Sequence, residues 1–202
     1  MYEKTKKVIK KIKIYEKLVY EFLEYNEINE IKIKKLVRFF KIDYYSVFII
    51  LKDLKKDYDF YKLSDISLKN KKETLFLNSF KSIMYYRLSH LIYTYQYFIT
   101  SRIISEYSHS LTQIDIHPGS IIGSPFFIDH GTGVVIGETT IIGRFVKIYH
   151  GVTLGAKLNP NENKIKRHPT IEDNVTIYCN TSIFGDIKIF KNTIIKAHSI
   201  IK

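Results

Sequence analysis

The sequence predicts an α+β chain: an N-terminal helical domain over residues 1–111, then a parallel β-helix of six-residue repeats over 112–202. Three observations predict it. First, aliphatic residues keep a six-residue beat through the second half. It runs through Ile116, Ile122, Ile128 and Val134, slips by two, and continues through Ile136, Ile142, Ile148 and Leu154. It resumes at Ile171, Ile177, Ile183, Ile189, Ile195 and Ile201. Second, the first half carries apolar residues at helical spacing. Third, glycine and proline switch on abruptly: all nine glycines and four prolines lie from Pro118 onward. A helix needs a period near 3.6 and a two-faced strand a period of 2. A period of six is one flat side of a triangular coil. Three sides close a coil, and coils stack at strand spacing, roughly 4.8 Å.

The elements follow in order. Val8, Ile12, Tyr15, Val19 and Phe22 form an amphipathic helical stripe. Ile31, Leu36, Phe39 and Phe40 continue in the same style. A further helical stretch over 44–54 is expected to end in a polar break at 55–59. Residues 64–72 read as a loop or the start of a helix. Two buried helices are expected over 75–97 and 99–108. The compositional switch puts the boundary near Thr112. In the coils, small or β-branched residues follow many beat positions by four, as at Ser120, Thr140, Val152, Val175 and Thr181. Residues 156–170, rich in Asn and Lys, break the beat and must loop out of the stack. Loops that leave a rigid scaffold often carry function.

Composition narrows the class. The chain has 202 residues and a formal net charge of +12. Residues 1–110 hold 22 Lys and Arg against 13 Asp and Glu, while 111–202 hold 10 against 7. The lysines spread along helical faces and no nucleic-acid motif accompanies them, so no nucleic-acid partner is expected. No apolar run reaches the length of a membrane span, and the N-terminus lacks a signal-peptide pattern. A cytoplasmic location without membrane attachment is expected. The single cysteine, Cys179, allows no internal disulfide.

Three histidine-bearing clusters stand out: Asp115-Ile116-His117-Pro118-Gly119, Ile128-Asp129-His130-Gly131-Thr132-Gly133 and Lys166-Arg167-His168-Pro169-Thr170. Gly137-Glu138-Thr139 and Val152-Thr153-Leu154-Gly155 lie between them. His130 suits general-base work on an alcohol, since imidazole titrates near neutral pH. Together with Tyr86-Arg87 and His90 these motifs resemble the serine O-acetyltransferases, over about residues 75–202. The resemblance implies acetyl transfer from acetyl-CoA to the L-serine hydroxyl and a left-handed coil. It also implies a homotrimer, or a dimer of trimers, with the active site between neighbouring chains.

The resemblance assigns roles. His130 is the base, with Asp115 as the carboxylate that fixes its tautomer, by triad logic. Arg167 binds the serine carboxylate, for which its planar fork is suited, with His168 beside it. Asp129 meets the serine ammonium, and so does Asp65, which aligns with a one-residue gap. Acetyl-CoA enters as co-substrate; no permanent cofactor is expected and no residue is assigned to coenzyme A. The sequence ends without the Gly-x-Pro-Ala segment that helps family members hold coenzyme A. It also lacks the tail that docks some of them to the sulfhydrylase, which puts both interactions in doubt. Glu138 reads equally as catalytic or as a corner residue touching a neighbouring chain. His117 reads as structural, and His90 and His109 as packing or hydrogen-bonding groups.

Repeat arithmetic adds a column. His130, His150 and Cys179 fall at one corner on successive coils. Such a column is either a set of corner residues or a zinc site of N and S ligands; the first is taken, with no metal expected. Two alternatives to serine acetylation stay open. One is O-acetylation of a sugar or other alcohol, and the other a non-catalytic assembly form without the coenzyme A-binding tail. A zinc hydro-lyase resembling the γ-class carbonic anhydrases is a further rival.

Overall fold

A computed structural model describes residues 2–25, 29–157 and 166–202. Among the described residues five α-helices come first: α1 Tyr2–Tyr25, α2 Glu30–Phe40, α3 Tyr44–Ser64, α4 Asn78–Thr94 and α5 Phe98–Thr112. A 3₁₀ turn, Lys71–Phe76, separates α3 from α4. The expected stripe on α1 is buried from Val8 to Phe22. On α2 the buried face is Ile33, Leu36 and Phe40, while Ile31 is 67% exposed. The side-chain oxygens of Asn29 and Asp43 accept from Lys32 N and Ser46 N, which caps α2 and α3.

The polar stretch 55–59 does not interrupt α3. The helix continues because Leu54, Tyr58 and Tyr61 keep its buried stripe at helical spacing. Its one buried charge, Asp57, has a partner in Arg87 on α4. The expected helix over 75–97 likewise begins later, at Asn78, after the 3₁₀ turn.

The second half is a left-handed parallel β-helix. Its strands are β1 Asp115–Ile116, β2 Ile121–Ile122, β3 Phe126–Asp129, β4 Val135–Ile136, β5 Ile141–Ile142, β6 Val146–Tyr149 and β7 Thr153–Gly155. After the break come β8 Thr170–Ile171, β9 Thr176–Ile177, β10 Ser182–Phe184, β11 Lys188–Ile189, β12 Ile194–Ile195 and β13 Ile200–Ile201. The first sheet is β1-β4-β7-β10-β13, the second β2-β5-β8-β11 and the third β3-β6-β9-β12. Beat residues stack on each other in register, as with Ile116 on Ile136 and Ile148 on Ile177. All of them are buried except Ile201, which is half-buried. Ser120, Thr140 and Thr181 are fully buried among them. Of the expected loop 156–170, residues 158–165 lie outside the described residues.

The first coil needs partners on its open side, because β2 and β3 head their sheets. Side chains of α3 and α4 supply them. Tyr86 donates to Ser120 O at 2.7 Å and accepts from Ile122 N at 3.0 Å. Tyr61 donates to Ile128 O at 3.1 Å and accepts from Ile128 N at 3.3 Å. Arg87 donates to Ile122 O and Gly123 O, and Asp57 accepts from Phe126 N at 2.9 Å and Ser124 Oγ at 3.0 Å. The strand edge is thereby hydrogen-bonded and buried, as an end cap of a solenoid requires.

Candidate active site

Two corners of the coil hold the predicted residues. The first joins the third sheet to the first sheet. Here β3 ends at Asp129, and His130 (φ 56°) and Gly131 (φ 91°) follow in left-handed backbone conformations. A Cβ on Gly131 would lie 2.4 Å from Ile114 Cδ1, so glycine is required. The two-residue slip falls in this corner. The partner pairs Ile128↔Ile148 and Ile136↔Leu154 enclose eight sequence steps here against six one coil later. The widened turn holds the His130 side chain 73% exposed.

A cavity of about 460 Å³ opens beside it, lined in part by Asp65, Ser67, Asn78, Ser79, Asp129 and His130. Asp65 stands at the C-terminal end of α3 and accepts from Ser67 N at 2.9 Å and Ser67 Oγ at 2.6 Å. Asp129 Oδ1 is 3.8 Å from His130 Nε2. The His150 ring lies one coil on, edge to face, with centroids 5.7 Å apart. Strand register puts Cys179 next in that column. Among the described residues no three His, Cys, Asp or Glu side chains are grouped to hold a metal ion.

The second corner joins the first sheet to the second. Arg167 and His168 enter it just before β8, opposite the turn Gly137-Glu138-Thr139 that follows β4. The His168 ring lies against Gly137, where a Cβ would be 2.0 Å from its Cδ2. Arg167 Nη2 donates to Glu138 Oε2 at 2.5 Å, and Tyr93 OH donates to Glu138 Oε1 at 3.2 Å. Burial pushes the Glu138 carboxyl up, but His117, the Tyr93 hydroxyl and Arg167 together hold it below the usual range. Burial lowers the His168 imidazole pKa, and the charges of Arg167 and Lys166 lower it further. Both effects favour the uncharged ring.

Asp115 lies on β1, at the start of the first sheet. Its strand partner on the next coil is Val135, five residues past His130 and beyond the turn. Among the described residues no hydrogen bond or ion pair joins Asp115 to His130. Asp115 instead acts on the charge of His117, toward the second corner. His117 Nδ1 accepts from Gly119 N at 2.9 Å, and His90 Nδ1 donates to Pro118 O at 2.8 Å. His109 is exposed on α5. The structure thus gathers Asp65, Asp129 and His130 at one corner, and Arg167 and His168 at the other. Glu138 and Thr139 hold the latter pair. Sequence reasoning named that turn without giving Thr139 a role.

No family model matches the chain. In sequence it is similar to a plasmid-borne serine acetyltransferase of Synechococcus elongatus, 50% identical over 120 residues. That match takes in 56% of this chain but 38% of the relative's own length. In fold it is similar to Entamoeba histolytica serine acetyltransferase 1 in complex with L-cysteine. There the TM-score is 0.73 at 29% identity, covering 94% of this chain and 84% of that one. Neisseria gonorrhoeae serine acetyltransferase in complex with serine gives a TM-score of 0.71 at 26% identity, covering 94% and 75%.

Proposed function

We propose, from this kinship with serine acetyltransferases, that the chain moves an acetyl group from acetyl-CoA to the hydroxyl of L-serine. The product is O-acetyl-L-serine, in the synthesis of cysteine. One observation carries the proposal: an exposed imidazole shares a cavity with two carboxylates. His130 takes the proton from the serine oxygen as that oxygen attacks the thioester carbonyl. The same imidazolium then returns the proton to the departing thiolate of coenzyme A. Asp129 and Asp65 face the substrate ammonium. Arg167, assisted by His168, takes the carboxylate through its guanidinium fork.

These groups stand at two corners of one chain, so the site is assembled between copies. A neighbouring copy would bring its Arg167 and His168, and also its Asp115, to the His130 corner. A homotrimer, alone or doubled through the helical domains, fits that need. We place the activity in the cytoplasm. Among the described residues no helix is long and apolar enough to cross a membrane.

The test is serine-dependent release of thiol from acetyl-CoA. His130→Ala is expected to cut kcat by at least ~100-fold, the scale of a general base. A variant that kept near-normal kcat would remove His130 from this role. Turnover with an amino sugar and none with L-serine would move the acceptor to another alcohol.

A further inference from the structure

The Arg167–His168 pair precedes a two-residue strand and is bonded from across the corner. The bonds converge on one side chain across the corner. Thr139 Oγ1 accepts from Arg167 N at 3.0 Å and from His168 N at 3.1 Å. It also lies 2.8 Å from His168 Nδ1. A hydroxyl has one proton and two lone pairs. With both lone pairs facing backbone N–H groups, its proton goes to Nδ1. The Thr139 backbone N–H points at the same nitrogen, at 3.2 Å. Nδ1 is then an acceptor, which leaves the proton of the neutral ring on Nε2. Gly137 completes the seat, since any Cβ there would occupy the ring's position.

We propose that Thr139 is the positioning residue for the Arg167–His168 pair: its hydroxyl fixes the backbone of both and sets the imidazole as the Nε2–H tautomer. What the pair binds rests on the serine-acetylating reading above; how it is held does not. The side chain acts on substrate only through these two residues. Its loss should therefore weaken serine binding more than the chemical step.

The experiment compares Thr139→Val, which keeps the branched shape and loses the hydroxyl, with Thr139→Ser, which keeps the hydroxyl. Amide exchange across residues 166–170 is measured on each, in the intact oligomer. The Val variant should exchange there at least ~10-fold faster, the scale of a lost hydrogen bond. Its KM for serine should rise about tenfold while kcat changes less than about threefold. The Ser variant should restore both. Ring ¹⁵N signals of the unmutated protein, assigned with His168→Gln, should show the proton on Nε2. A proton on Nδ1 overturns the proposal even if the Val variant fails to fold. Unchanged exchange in Thr139→Val, or no rescue by Thr139→Ser, also overturns it. A parent protein without serine turnover sinks the activity instead, while exchange and tautomer still decide the role of Thr139.

Discussion

At the scale of single residues, the proposed chemistry is divided between one exposed imidazole and one buried one. His130 is lifted from the coil by two successive left-handed residues. His168 is 6% exposed, and burial beside Arg167 and Lys166 lowers its pKa. A depressed imidazole pKa favours the fold only while the ring is uncharged. The stabilisation is complete above the unfolded value near 6.5 and is lost as pH falls toward the lower folded value. Between pH 7.5 and 5.5 the parent protein should lose more thermal stability than His168→Gln. Equal losses would show that the ring is not held neutral. His130, Asp129, Arg167 and His168 could be singled out as candidates because they sit in contiguous motifs. The Thr139 contact was not, because it spans 29 residues and the break in the repeat hides which turn faces which. The Asp115–His130 contact came from resemblance, and among the described residues no hydrogen bond or ion pair joins the two.

At the scale of elements, the join between helices and coil rests on a buried ion pair. Asp57 is fully buried and takes bonds from Arg87, Ser124 and Phe126 N. Removing it leaves the buried Arg87 without its counter-charge. Asp57→Ala should cost about 3–5 kcal/mol. The fall in Tm should be on the order of 10 °C, read by calorimetry. A change of only a degree or two would mean that the pair contributes little. The coils were legible almost residue by residue, since a beat of six admits one architecture. The helices were legible as stripes, but the span of α3 was not. Lys55–Asp59 reads as a polar break until Asp57 is seen to point inward at a residue 30 positions away. A local window registers the charge and cannot see its partner.

At the scale of the whole molecule, the two corners on one chain lead to a mixing experiment. His130→Ala and Arg167→Ala should each be nearly inactive alone. Denatured together in equal amounts and refolded, they should regain up to about one quarter of parental activity. That is the share of interfaces pairing an intact His130 with an intact Arg167 in random trimers. A mixture that stays inactive would place the whole site within one chain. The sequence carried this level only through resemblance, because surface complementarity leaves no periodic mark. The tyrosine and Asp57–Arg87 bonds to the first coil carry a last consequence. That rim of the prism is already occupied, so rungs are added in one direction only. A chain emerging from the ribosome would complete its helices first and meet each new turn with a finished edge to copy.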